Sequence, residues 1–182
     1  MPDRRTLVIG SLGLAAAGLA GPGFAQGTGR ALFSAALRGD APPADTNSKA
    51  TGAAAIAVDL VAQTIDLDLR VSGIKLAQLS DNLKAAPIGP VHLHHYGDMR
   101  HLNDASVTLV MPAPFGPMYA DSPTGFTVSM KAFPYARGAA LLGSKVSFGE
   151  FVASMRGGLL ALNVHTNAFP DGEINGPVIE NA

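Results

Sequence analysis

Residues 64–72 read Thr-Ile-Asp-Leu-Asp-Leu-Arg-Val-Ser, and this stretch decides the fold class. Apolar side chains occupy every second position, and charged side chains stand between them. Because successive side chains of a β-strand point to opposite faces, this period of two indicates a strand with one buried face and one solvated face. Strands of this kind are typical of antiparallel sheets, so the sequence predicts an all-β protein.

The sequence on either side of this strand has the same character. Clusters of Gly, Pro, Asn and Asp separate short apolar runs, and helical periodicity is almost absent. One short helix is predicted over residues 147–156, where Ser147 and Glu150 form a capping box. Further strands are predicted at residues 32–37, 52–60, 91–96, 105–111, 126–130, 159–166 and 173–179. We therefore expect a single antiparallel β-sandwich of about seven to nine strands.

The first 25 residues differ in composition from the rest of the chain. Arg4 and Arg5 precede an apolar run over residues 7–20, and small residues lead up to Gln26. About 14 apolar residues are too few to cross a bilayer, which takes about 20, so residues 1–25 are interpreted as a signal peptide. The paired arginines resemble a bacterial twin-arginine signal, and the general secretory route is the alternative. Residues 26–182 are then one mature domain without a membrane span, in the periplasm or secreted.

The composition excludes several classes of function. The 182-residue chain has 13 Lys and Arg against 14 Asp and Glu, and it contains no Cys. A near-neutral charge balance argues against nucleic-acid binding. The absence of Cys excludes disulfides, a thiolate nucleophile and metal sites built on sulfur. Any metal chemistry has to use histidines and carboxylates.

The five histidines are the main candidates for such chemistry, and four of them lie between residues 92 and 101. On a strand, His92 and His94 point to one face about 7 Å apart, while His95 points to the other. His165 lies on a later predicted strand, opposite an apolar face formed by alternate residues of 160–164. If the two strands are neighbours, His92, His94 and His165 can form a three-histidine metal site.

The ligand type indicates which metal to expect. Imidazoles without a soft thiolate bind Cu(II) most tightly among the divalent first-row ions, so we expect one copper ion and no zinc. The alternative is that His92 and His94 are structural and donate hydrogen bonds to backbone carbonyls.

The sequence leaves the fourth ligand open. His101 is either a ligand or a loop residue, and Met99, Met111 and Met118 are either thioether ligands for Cu(I) or core residues. Glu173 either accepts a hydrogen bond from a ligand histidine or pairs with a nearby backbone amide.

Three stretches of the chain resemble the CHRD domain family, which is named for its occurrence in chordin and is common as stand-alone exported bacterial proteins. They are Val-Ser-Gly-Ile at residues 71–74, the His-x-His strand at 92–94 followed by Gly97, and residues 162–176. The last stretch is the most specific, and there the chain has Asn175 where the family pattern has arginine. The resemblance covers most of the mature chain.

The chain is also similar, more distantly, to Cu/Zn superoxide dismutase, a Greek-key β-sandwich. Residues 92–98 follow the outline of that enzyme's copper strand, with His95 in the place of an acidic residue, and His165 matches its histidine on a late strand. The chain has no counterpart of the histidine that bridges copper and zinc, and it lacks the cysteines of the family disulfide. The likeness therefore implies a one-metal relative with three copper ligands.

These observations lead to three functional hypotheses. The first is an exported CHRD-domain protein that binds one copper ion through His92, His94 and His165 and acts in copper handling or tolerance. The second is a superoxide dismutase-like copper oxidoreductase that uses the same ligands. The third is a structural or interaction module without metal, whose partner is a protein of the cell envelope. We expect binding rather than catalysis and assign no catalytic residue; the sequence does not indicate an oligomeric state.

Overall fold

The computed structural model describes residues 29–41, 45–96 and 108–182. The predicted signal peptide, Met99 and His101 lie outside these ranges. No helix in the described part of the chain is long and apolar enough to cross a membrane.

Ten strands and three short α-helices account for the regular structure of the described ranges, and the all-β prediction is confirmed. The strands are β1 (Arg30–Arg38), β2 (Thr51–Asp59), β3 (Thr64–Ser72), β4 (Val91–His95), β5 (Thr108–Ala113), β6 (Tyr119–Asp121), β7 (Gly125–Pro134), β8 (Leu160–Val164), β9 (Ile174–Pro177) and β10 (Ile179–Glu180). The helices are α1 (Asp81–Ala85), α2 (Tyr135–Leu142) and α3 (Phe148–Arg156), and a 3-10 turn covers Leu76–Gln78.

Helix α3 is the helix that the sequence predicts. The Ser147 hydroxyl accepts a hydrogen bond from the Glu150 backbone N–H, and the Glu150 carboxylate accepts one from the Ser147 N–H, so the capping box is present. Strand β6 and helices α1 and α2 were not predicted. Gly138 lies in the middle of α2 and Pro134 just before it, and these two residues obscure the helical pattern in the sequence.

The strands form one continuous sheet with the order β5-β4-β8-β9-β1-β2-β3-β7-β6, and β10 also pairs with β1. All of the pairings are antiparallel. Strand β1 joins the two halves, because it pairs with β2 along its whole length and with β10 and β9 on its other edge. The predicted sandwich is therefore a single sheet that curls back on itself.

The curl encloses one apolar core. Ile56 on β2 and Leu67 on β3 line the same internal pocket as Leu93 on β4 and Leu162 on β8, so the two halves of the sheet face each other. The alternating residues of β3 behave as predicted: the apolar ones are buried and the polar ones lie towards solvent. Burial of these side chains is the main stabilising contribution to a domain of this size.

The contact between β9 and β1 requires a glycine. A Cβ atom at Gly176 would lie 2.1 Å from the backbone oxygen of Ala36, and backbone cannot move aside as a flexible side chain can. In contrast, nothing lies within 4 Å of a Cβ at Gly149 in α3. The same substitution should therefore have opposite effects at the two positions.

We predict that Gly176→Ala lowers the free energy of unfolding by about 2 kcal/mol or more, because it overpacks a backbone contact. Gly149→Ala should leave it unchanged or raise it by up to about 1 kcal/mol, since alanine favours a helix more than glycine does. Urea unfolding of both variants checks this. Equal stability of Gly176→Ala and wild type would show that β9 and β1 do not approach as closely as described.

Candidate metal centre

Strands β4 and β8 are antiparallel neighbours, as the three-histidine site requires. In their register Val91 pairs with Val164 and Leu93 with Leu162, which places these apolar residues on the core face. His92 and His94 then point to the opposite face of the sheet. His165 follows the last residue of β8, where its backbone N–H donates to the Pro90 carbonyl across the two strands.

The three histidines converge. The ring centroids of His92 and His94 are 4.7 Å apart, those of His92 and His165 4.3 Å, and those of His94 and His165 5.6 Å. One nitrogen from each ring can be chosen so that all three atoms lie within 4.8 Å of one another. A metal with bonds of about 2 Å needs these nitrogens about 3 to 4 Å apart, so the rings would close by about 1 Å on binding. The predicted convergence is confirmed, whereas the role of the rings as ligands stays a prediction.

Backbone carbonyls orient two of the three rings. His92 Nδ1 lies 2.9 Å from the Gly89 carbonyl, and His165 Nδ1 lies 2.7 Å from the Pro170 carbonyl. A carbonyl only accepts, so each Nδ1 carries the proton and each Nε2 keeps its lone pair. The bond at His92 is the one that the structural alternative expects, and it equally fixes the tautomer that a metal ligand needs.

Three of the four remaining ring nitrogens have no hydrogen-bond partner in the described part of the chain. His165 Nε2 and both ring nitrogens of His94 are buried without a hydrogen bond among the residues that the structure describes. Buried polar atoms are nearly always hydrogen-bonded in proteins, so each exception needs a cause. A metal ion that accepts a lone pair from each of the three imidazoles would be one such cause.

Burial keeps the cluster neutral. Desolvation, followed by the neighbouring His165 and His94, lowers the pKa of His92 well below 6.5. Desolvation and His165 lower the pKa of His94 to about 3. Desolvation also lowers the pKa of His165, although the Pro170 carbonyl and Asp171 act in the opposite direction. At neutral pH all three imidazoles are therefore in the form that binds metals.

Two asparagines that were not predicted to belong to the site lie on the same face of the sheet. Asn163 on β8 pairs with His92 on one side and with Asn175 on β9 on the other. Their exposed fractions are 1% and 0%, and none of their side-chain nitrogen and oxygen atoms makes a hydrogen bond of normal geometry within the described residues. Asparagine is usually a surface residue, so the sequence contains no signal for this pair.

Tyr96 completes this polar face. Its ring stacks on that of His94, with the centroids 6.2 Å apart. Burial raises the pKa of the Tyr96 phenol, and the neighbouring Asn163 side chain acts in the opposite direction. Asn163, Asn175 and Tyr96 are thus neutral hydrogen-bonding groups on this face, while Asp171 is a charged group that acts on His165.

Glu173 fits neither of the two roles considered for it. Its carboxylate accepts hydrogen bonds of 2.7 Å from the Thr166 and Ser48 hydroxyls, and among the described residues no histidine donates to it. It holds the turn over residues 166–173 against residues 46–48, where the Thr46 hydroxyl also donates to the Glu173 backbone oxygen. Glu173 therefore secures the turn that carries the Pro170 carbonyl, and its effect on His165 is indirect.

The other candidate residues lie away from the cluster. His95 points to the opposite face of β4 and does not belong to the three-histidine group. Met111 is buried, and its sulfur lies against Gly138 of α2, so it packs in the core. Met118 is partly buried against the same core.

Fold and site together define a class of protein: a curled all-β domain that contains a buried group of three neutral histidines. A family model of the CHRD domain matches residues 33–178. The chain belongs to the CHRD domain family. No curated protein and no solved structure matches it. The likeness to superoxide dismutase stays a prediction.

The depressed histidine pKa values predict how stability depends on pH without metal. Unfolded histidine titrates near pH 6.5, so below this pH the unfolded state binds more protons than the folded state. The free energy of unfolding should therefore be fully retained above about pH 6.5 and fall as the pH drops towards 4, by up to about 1.4 kcal/mol per unit for each histidine.

Urea unfolding in chelator between pH 7.5 and 4 measures this dependence. The His94→Leu variant has one buried imidazole fewer and should show a shallower loss over the same range. Parallel curves for the variant and the wild type would show that the His94 pKa is not depressed by burial.

Proposed function

We propose that this CHRD-domain protein binds one copper ion through His92, His94 and His165 and serves in copper handling or tolerance. The observation that carries the proposal is the convergence of three imidazoles, among which both ring nitrogens of His94 and the Nε2 of His165 are buried without a hydrogen bond to the described residues. A Cu(II) ion would accept one lone pair from each ring, which satisfies His165 Nε2 and one of the two His94 nitrogens.

The donor set supports metal binding over a packing role. Packing three imidazoles against one another leaves polar atoms unsatisfied, and each such atom costs about 1 to 3 kcal/mol. Apolar side chains of similar size would avoid this cost. His92 and His165 also have their protonated Nδ1 atoms held by carbonyls, so these two rings are oriented before a metal arrives.

The donor set also favours copper. Three neutral imidazoles suit Cu(II), Zn(II) and Ni(II), and among these the Irving–Williams order gives copper the highest affinity. Export of the chain by way of residues 1–25, to the periplasm or outside the cell, belongs to the same proposal, because a copper-handling protein there meets environmental copper directly.

We predict that the metal-free protein binds one equivalent of Cu(II). His92→Ala and His165→Ala should each weaken binding by at least about 100-fold, which exceeds the 10- to 100-fold effect that is typical of losing an outer hydrogen-bond partner. Isothermal titration, with copper held in a competing chelator, measures these affinities.

His95→Ala is the matched control, since it removes a histidine from the same strand but from its other face. This variant should bind copper as the wild type does. Equal affinity in all three variants would contradict the proposal and favour the alternative that the domain is an interaction module of the cell envelope.

A competition experiment tests the identity of the metal. Protein loaded with Zn(II) should release it when one equivalent of Cu(II) is added, as the Irving–Williams order requires for a site that does not impose a geometry against copper. A zinc-responsive dye monitors the release. Retention of zinc in the presence of copper would show that the site selects zinc, contrary to the expectation of a copper site.

A further inference from the structure

Asn163 occupies a particular position in the histidine cluster. On β4, His94 lies opposite Ala161 of β8 and His92 lies opposite Asn163. His165 is two residues beyond Asn163 and lies opposite Pro90. Asn163 is therefore level with the middle of the group, midway along the strands between His94 and His165. All four side chains leave the same face of the sheet.

The Asn163 carboxamide lies beside the Tyr96 phenol and acts against the rise of its pKa, but it makes no hydrogen bond of normal geometry within the described residues. The residue is 1% exposed, and both its side-chain oxygen and its side-chain nitrogen lack a hydrogen bond among the described residues. Ala161, the other residue of β8 on this face, carries no polar group. On this face of β8, Asn163 is thus the residue beside the histidines whose side chain can both donate and accept a hydrogen bond.

We propose that Asn163 binds a small ligand in an open fourth coordination position of the three-histidine site. The carboxamide donates a hydrogen bond to the atom of that ligand next to the metal. The chemical class is a water-derived hydroxide or a small monovalent anion such as azide. This inference rests on the proposed copper site and adds the ligand class and the residue that recognises it.

The neighbouring Asn175 provides a comparison within the same molecule. It is the same residue type, equally buried and equally without a hydrogen bond, but it lies one strand further from the histidines. Neighbouring strands are about 4.8 Å apart, so the Asn175 backbone is one strand spacing further than that of Asn163 from a ligand that His92 and Asn163 share. Both carboxamides lie against the covering turn, because a Cβ at Gly172 would come within 2.7 Å of the Asn175 side-chain oxygen and 3.5 Å of the Asn163 side-chain nitrogen, so the comparison rests on the strand that each residue occupies.

The experiment titrates the copper-loaded protein with sodium azide and follows the azide-to-copper charge-transfer absorption. Wild type should bind azide, and Asn163→Leu should bind it at least about 10-fold more weakly, as expected for loss of a hydrogen bond to a charged group. Asn175→Leu should match the wild type within about two-fold. Cu(II) affinity is measured for each protein first, so that azide binding is compared at full copper loading, and Asn175→Leu should leave the copper affinity unchanged.

A second pair of variants covers the case in which leucine disturbs folding. Asn163→Asp and Asn175→Asp keep the size of the side chain and add a negative charge. Asn163→Asp should weaken azide binding by at least about 10-fold through loss of the donor and like-charge repulsion, and Asn175→Asp should weaken it less. Circular dichroism confirms that each variant is folded.

Wild-type azide affinity in folded Asn163→Leu or Asn163→Asp overturns the assignment of Asn163. Tight copper binding without any azide binding shows a closed site and overturns the inference while the copper proposal stands. Failure of the wild type to bind copper overturns the proposed function and this inference with it.

Discussion

The pairing register between β4 and β8 determines where each polar group of the site lies. Val91 against Val164 and Leu93 against Leu162 fix that register, because these side chains fill the core. A slip of one residue would turn the histidines of β4 into the core and its apolar residues outward. The geometry of the site is therefore maintained by hydrophobic pairs on the other side of the same two strands.

Strand β8 is buried on both faces: its apolar residues face the core, and the covering turn buries the polar face that carries the site. Every residue from Leu160 to Thr166 is buried. The turn over residues 166–173 supplies the Pro170 carbonyl that orients His165. Glu173 ties that turn to the hydroxyls of Thr166 and Ser48. The Glu173 carboxylate thus helps to position the His165 imidazole by holding the turn between them.

Much of this arrangement could be predicted from the sequence. The period of two over residues 64–72 and the Ser147–Glu150 capping box are local signals, and the elements they predict are present. The convergence of His92, His94 and His165 needed only one further assumption, namely that their two strands are neighbours.

The asparagine pair could not be predicted in this way. Asn163 and Asn175 meet because β9 lies beside β8, and their burial depends on the turn that folds over them. The alternation of β8 indicated one apolar face and one polar face, and a polar face is ordinarily solvated. Nothing in the pattern of a single strand shows whether a later segment covers that face.

The covered polar face bears on the relation between stability and binding. His94, His165, Asn163 and Asn175 together carry seven buried polar atoms without a hydrogen bond in the described part of the chain. Such atoms lower the stability of the metal-free fold, and the hydrophobic pairs of β4 and β8 offset this cost. A ligand that binds only the folded state returns stability in proportion to its affinity. The strands that place the histidines thus hold the rings close to one another and neutral before binding, so little of the binding free energy is spent on ordering or deprotonating them.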